Sequence, residues 1–231
     1  PAAGVLGAQN DALGRAAKQL AGSVPILQTL FSPLTSARKL AGEAVFDHLR
    51  NHPDALEAGL RTIADTTIDF ALAALTAGAH GLFLATQCAT TDDMSEAEYA
   101  RFGARYDLEV LAGVKGKARF NMLHLHGENV MFGMLADYPV EMINWHDRMT
   151  SPSLAQALPR FPCALVGGVA ERDLLVNGTA DAVRAQVRDA IAQTTGKRLI
   201  VGPGCVVALA APEVNLRAAV DAARANRGET T

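Results

Sequence analysis

Short runs of apolar and β-branched residues alternate along the chain with longer Ala- and Leu-rich stretches of helical period. The runs VPILQTLF (24–31), GLFLAT (81–86), FNMLHLH (120–126), VEMINWH (140–146), CALVGG (163–168) and RLIVGP (198–203) predict strands. Residues 36–50 and 53–78 predict two helices, the second with Pro53 in its first turn, where the missing N–H costs nothing. Ser95 followed by Glu98 is a capping-box signature that opens a helix running to about residue 113. Ser153 and Gln156 repeat it before a short helix. Residues 179–195 and 212–226 are amphipathic, with Val183, Val187 and Ile191 on one stripe of the first.

Strands alternating with helices, joined by short loops and with no hairpin signal, predict an α/β fold with a parallel sheet and helices outside it. A six-stranded doubly wound sheet is the alternative, but no GxGxxG follows any strand. The pattern fits a TIM-type (β/α)8 barrel lacking its first one or two β/α units, with residues 1–231 forming a single, N-terminally incomplete domain. The chain begins at Pro1 without an initiator Met, and part of the natural N-terminus is expected to lie outside it.

Composition narrows the function classes. Hydrophobic residues make up 49% and charged residues 19%, and 21 Lys and Arg nearly balance 24 Asp and Glu. No basic block suits nucleic acid or an anionic membrane surface, and no apolar run is long enough to span a bilayer. Cys88, Cys163 and Cys205 are odd in number, far apart and without a CxxC, which fits a reducing, cytoplasmic setting. A small-molecule substrate is expected, and a homo-oligomer is allowed.

Barrels of this class carry their chemistry at the C-terminal ends of the strands. Those ends offer Ser32; Thr86, Gln87 and Cys88; His124 and His126 with Glu128 beyond; Asn144, His146 and Asp147; Gly167 and Gly168; and the turn Gly202-Pro203-Gly204-Cys205. Three of the six histidines fall there. Along a strand His124 and His126 share a face, as do Asn144 and His146. With Cys205 they make a Zn²⁺ ligand set whose fourth position is left to water, substrate, His146 or a carboxylate. Strand-end histidines can equally be hydrogen-bonded polar groups, and Cys205 a small buried filler. Glu128 suits either a helix first turn or acid–base work. Asp147 can pair with Arg148 or orient a histidine. Gly168 suits close approach of a ligand or loop. Trp145 is expected to pack between strands and helices, and His48, His52 and His80 to be structural.

Several segments together resemble the uroporphyrinogen decarboxylase family: VPILQTLFSPLTSARKLAG, TAGAHGLFLATQ, SEAEY, LHLHGEN, the GG pair with its DLL segment, IVGPGCVV and APEVNLRAAVDAAR. The resemblance runs from about residue 20 to 226 and implies a TIM-type barrel. Within the family, the decarboxylases rely on an N-terminal Arg-rich loop, an Asp, a Tyr and a late Gly-His-Gly turn. The late turn here is GPGC, without His, and SPLTSARKLAG holds no Tyr. The cobamide-dependent methyltransferases instead hold zinc through a His-x-Cys motif and a Cys in a GPGC-like turn. His124 matches the first ligand and Cys205 the last, while His126 stands where that branch has Cys. Imidazole can replace thiolate on zinc, though the site becomes less anionic.

The resemblance thus implies a zinc-dependent methyltransferase with His124, His126 and Cys205 as ligands, moving a methyl group between a corrinoid on a separate protein and a thiol-type acceptor. Glu128 and His146 would serve catalysis, and Ser32, Gln87, Asn144, Asp147 and Gly168 would meet substrate. The alternatives are cofactor-free decarboxylation of a tetrapyrrole, a metal-dependent hydrolase or lyase, and a non-catalytic corrinoid-binding subunit.

Overall fold

The structure, a computed structural model, describes residues 3–225. The chain forms two compact units, one built from residues up to Leu125 together with Val130–Glu141, the other from His126–Asn129 and the residues from Met142 on.

In the first unit a helix α1 (Gly4–Leu20) precedes strand β1 (Leu27–Phe31), which leads into α2 (Pro33–Ala41), α3 (Ala44–Asn51) and α4 (Pro53–Ala77). The single helix expected over 36–50 is therefore two. Gly42 ends α2 at φ +63°, a left-handed backbone angle that only glycine adopts without strain. Strand β2 (Gly81–Thr86) is followed by α5 (Glu96–Tyr99), a π-helical turn at Ala100–Ala104 and α6 (Arg105–Gly113). Both halves of the predicted capping box are formed by Ser95 and Glu98. Strand β3 (Phe120–Leu125) and a short α7 (Phe132–Leu135) complete the unit. β1 pairs with β2 and β2 with β3, all parallel, Leu30 lying opposite Leu84 and Leu84 opposite Leu123. These three leucines are buried, as the inward face of a parallel strand must be.

The second unit repeats the plan with β4 (Met142–Trp145), α8 (Leu154–Ala157), β5 (Ala164–Val169), α9 (Leu174–Asn177), α10 (Ala180–Thr194), β6 (Leu199–Pro203) and α11 (Glu213–Ala225). β4, β5 and β6 pair in that order, again parallel. Ser153 and Gln156 cap α8 reciprocally. The stripe on α10 is real: Val183 and Val187 are fully buried, Ile191 packs beside them, and Ala218 and Ala222 of α11 join the cluster. Residue 226, the last of the expected final helix, lies outside the described residues. Trp145 is fully buried and donates its Nε1–H to the Pro152 carbonyl at 2.9 Å, so its packing role holds.

Strands are shorter than expected by one to three residues at several ends, because the flanking apolar residues serve loops rather than ladders. The predicted strand at 24–31 begins only at Leu27, and that at 140–146 narrows to Met142–Trp145. Six strands, parallel within each unit and separated along the chain by helices, form the βα alternation of a partial TIM-type barrel. Among the described residues no helix is long and apolar enough to cross a membrane.

Candidate metal centre

Four chemistry-bearing side chains leave the chain one or two residues after a strand ends. His126 follows β3, His146 follows β4, Glu171 follows β5 by two residues, and Cys205 follows β6 by two. All four belong to the second unit. The ligand atoms of His126, His146 and Cys205 lie within 4.8 Å of one another.

His126 is the hub. Its Nδ1 stands 3.3 Å from His146 Nε2 and 3.6 Å from Cys205 Sγ. The two imidazoles meet edge to face, ring centroids 5.0 Å apart. The other nitrogen of His146, Nδ1, lies 2.7 Å from Glu171 Oε1. Glu171 is 1% exposed and His146 4%, so this hydrogen bond is made out of water and is strong. Hydrogen bonds with Cys205 and Glu171 push the His146 pKa up to about 9, against the effect of burial. Burial would raise the Glu171 carboxyl, but the bond from His146 prevails and holds it below the usual carboxylate range.

The turn bearing Cys205 fits this cluster for a steric reason. A Cβ added at Gly204 would come 2.9 Å from the His146 Cα, 3.0 Å from Glu171 Oε2 and 3.0 Å from the Trp145 carbonyl oxygen. Only glycine lets the chain pass that close, and the next residue is the cysteine. Two imidazoles and a thiol at these separations form a donor set suited to a soft or borderline divalent cation, zinc above all.

The remaining residues singled out in the sequence have definite places. His124 is buried on β3 and stacks on Phe83, ring centroids 5.3 Å apart. Glu128 is exposed in the loop after β3. The reading of Glu128 as a first-turn residue is corrected, because the next helix begins only at Phe132 with Met131 as its cap. Asn144 is buried and spends both amide hydrogens on backbone carbonyls, of Val166 at 2.8 Å and Pro203 at 3.0 Å. Asp147 accepts the Gly168 N–H at 2.9 Å and pairs with Arg148 at 3.4 Å. Burial raises its pKa, with these two partners opposing. It is thus Glu171, not Asp147, that meets a histidine. Gly168 is glycine for packing, since a Cβ there would lie 2.6 Å from that of Ala190 on α10.

In the first unit, Ser32 caps α2 and donates its hydroxyl to Thr35 Oγ1 at 2.8 Å. The Gln87 backbone N–H donates to the same oxygen at 2.9 Å. His48 and His52 sit in and at the end of α3, and His80 Nδ1 accepts the Ile26 N–H at 3.1 Å.

Glu171 is the site residue that sequence reasoning missed. Its signal was positional, a carboxylate two residues past a barrel strand, but the strand-end reading stopped at the conspicuous Gly167–Gly168 pair.

Comparison with known proteins bears on this arrangement. The chain is 26% identical over 201 residues to the methylcobamide:CoM methyltransferase MtaA of Methanosarcina barkeri, covering 86% of this chain and 58% of that protein. It is also 26% identical over 213 residues to the methylated-thiol–coenzyme M methyltransferase of Methanosarcina mazei, covering 90% and 55%. A solved methyltransferase structure from Methanosarcina mazei superposes with a TM-score of 0.83 at 24% identity, over 94% of this chain and 64% of that one, and shares its fold. The chain therefore spans between 55% and 64% of the length of these relatives. The family model for uroporphyrinogen decarboxylase matches residues 2–226, and the chain belongs to that family.

Proposed function

We propose that the chain carries the metal centre of a zinc-dependent methyltransferase, one that moves a methyl group between a corrinoid held on a separate protein and a small thiol acceptor. The observation that carries the reading is the convergence of His126 Nδ1, His146 Nε2 and Cys205 Sγ, each one or two residues past the end of a strand. The names of the two curated relatives, both methyltransferases acting with coenzyme M, support the same chemistry.

In this reading His126, His146 and Cys205 would hold the ion. A zinc ion so held supplies a Lewis acid that lowers the pKa of a thiol acceptor. The chain's own side chains do the rest. Cys205 brings the negative charge that a thiol site needs, and the imidazoles keep that charge low. With fewer thiolates than a His-x-Cys site, the centre would activate a bound thiol less strongly toward methyl transfer. Glu128, exposed in the loop after β3, is assigned proton exchange with the acceptor. Asn144, Asp147 and Gly168 are assigned to shaping the substrate side through the backbone they brace.

The first test is elemental analysis of the purified protein beside His126→Ala and Cys205→Ala. About one zinc per chain, lost in both variants, is the expected result. Methyl transfer from methylcobalamin to a panel of thiols is then the activity to measure. Protein purified anaerobically with zinc supplied, yet metal-free, overturns the reading and returns the decarboxylase alternative for assay.

A further inference from the structure

The role inferred for Glu171 rests on the metal-centre reading above. An imidazole has two nitrogens, and a ligand to a cation must turn a lone pair toward it and keep its proton on the other. In His146 those positions are unequal. Nδ1 faces the Glu171 carboxylate at 2.7 Å, whereas Nε2 faces His126 and the cysteine side of the cluster. A carboxylate can only accept, so the Nδ1 position must donate.

We propose that Glu171 is the positioning residue of the metal centre: by holding the Nδ1 proton of His146 it fixes the tautomer and the ring plane in which Nε2 is a ligand. Three features of the chain are built around this contact. Glu171 is as buried as a core leucine, although an unpaired buried carboxylate is expensive. Gly204 leaves the space that Glu171 Oε2 occupies, and a side chain there would come within 3.0 Å of that oxygen. Arg172, exposed, sets a positive charge 3.9 Å from Oε1. One contact therefore links the ends of β4, β5 and β6. Carboxylates that hold ligand histidines in this way typically alter metal affinity ten- to a hundredfold when removed.

The test compares wild type with Glu171→Ala and Glu171→Gln by zinc affinity, measured in competition with a chromogenic chelator. The second readout is the downfield proton resonance of the His146 Nδ1–H in the zinc-loaded proteins. Glu171→Ala is expected to lose about ten- to a hundredfold in affinity and to lose the resonance. Glu171→Gln, whose amide oxygen still accepts, is expected to keep the resonance at a smaller shift and recover most of the affinity. Should the alanine variant misfold, the glutamine variant carries the test through its resonance alone. Wild-type affinity in the alanine variant, with the His146 resonance in place, overturns the positioning role and leaves the metal reading standing. Absence of zinc binding in wild type overturns both.

Discussion

Two buried polar clusters, one in each unit, make an instructive contrast. In the first unit Asp107, fully buried on α6, accepts a hydrogen bond from Tyr99 at 2.7 Å and another from Tyr138 at 3.0 Å, both on Oδ2. Thr86, at the end of β2, stands 3.2 Å from the Tyr99 hydroxyl. The two tyrosines come from different segments and converge on a single oxygen, and Thr86 joins through Tyr99. In the second unit the ring nitrogens of His126 and His146 and the sulfur of Cys205 converge on a common space, and Glu171 meets His146 on its other nitrogen. The first cluster closes on itself and ties α5, α6, β2 and the segment after α7 together. The second turns the ring nitrogens of His126 and His146 and the Cys205 sulfur toward one another. Burial alone thus does not mark a functional site; what distinguishes it is the chemistry of the converging atoms.

The pKa shifts point the same way. Burial lifts Asp107 to about 6 although both tyrosines oppose it, and Oδ1 is buried with no hydrogen-bond partner. His146 moves up because it has gained anionic partners, and Glu171 moves down because it has gained His146. In the first cluster the charge is suppressed; in the second, charges are paired.

The largest effect that separates the clusters is metal removal. Zinc bound at the second cluster at a free concentration about a thousandfold above its dissociation constant stabilises the fold by about 4 kcal/mol. Chelation should then lower the thermal midpoint of wild type and leave that of Cys205→Ala unmoved. Tyr138→Phe should lower both the loaded and stripped midpoints equally. A chelator-sensitive midpoint that persisted in Cys205→Ala would place the metal elsewhere.

Next in size is the pH dependence carried by Asp107. Its carboxyl rises from 3.8 to about 6 on folding, so the folded state holds the proton more tightly than the unfolded chain. The stability this supplies is fully present below about pH 3.8 and is lost as pH rises through about 6. Two units correspond to about 3 kcal/mol between pH 4 and 7. Denaturant unfolding of wild type and Asp107→Asn at both pH values should show the wild type losing about that much relative to the variant. Parallel pH profiles would mean that Asp107 is as well solvated in the fold as in the unfolded chain, and the first cluster would no longer be the charge-suppressing one.

Much of this was legible from residues, for physical reasons that differ by element. The period-two and period-3.6 patterns located the six strands and the principal helices, because burial on one face leaves its trace in sequence. His126, His146 and Cys205 were readable because barrel topology sends strand ends to one face, so position along the chain became position at the site. Glu171 and Asp107 were not. A lone carboxylate reads as solvated surface, and its burial depends on tertiary partners such as His146 or Tyr99 that local pattern cannot reveal. The same blindness split the expected 36–50 helix at Gly42, where one residue's backbone angle decided the matter.

The smallest effect sharpens the contrast at its edge. Thr86 is fully buried at the C-terminal end of β2, where a barrel strand carries functional groups as readily as structural ones. Its hydroxyl is 3.2 Å from that of Tyr99, which donates to Asp107, so Thr86 is left to donate in turn to Tyr99. Valine has nearly the same shape without the hydroxyl. Thr86→Val should therefore cost about 1 kcal/mol, one buried neutral hydrogen bond, while leaving zinc affinity unchanged. Chemical denaturation reads the first quantity and chelator competition the second. A variant of wild-type stability but weakened metal binding would move Thr86 out of the structural cluster, and the division between the two clusters would have to be redrawn at the end of β2.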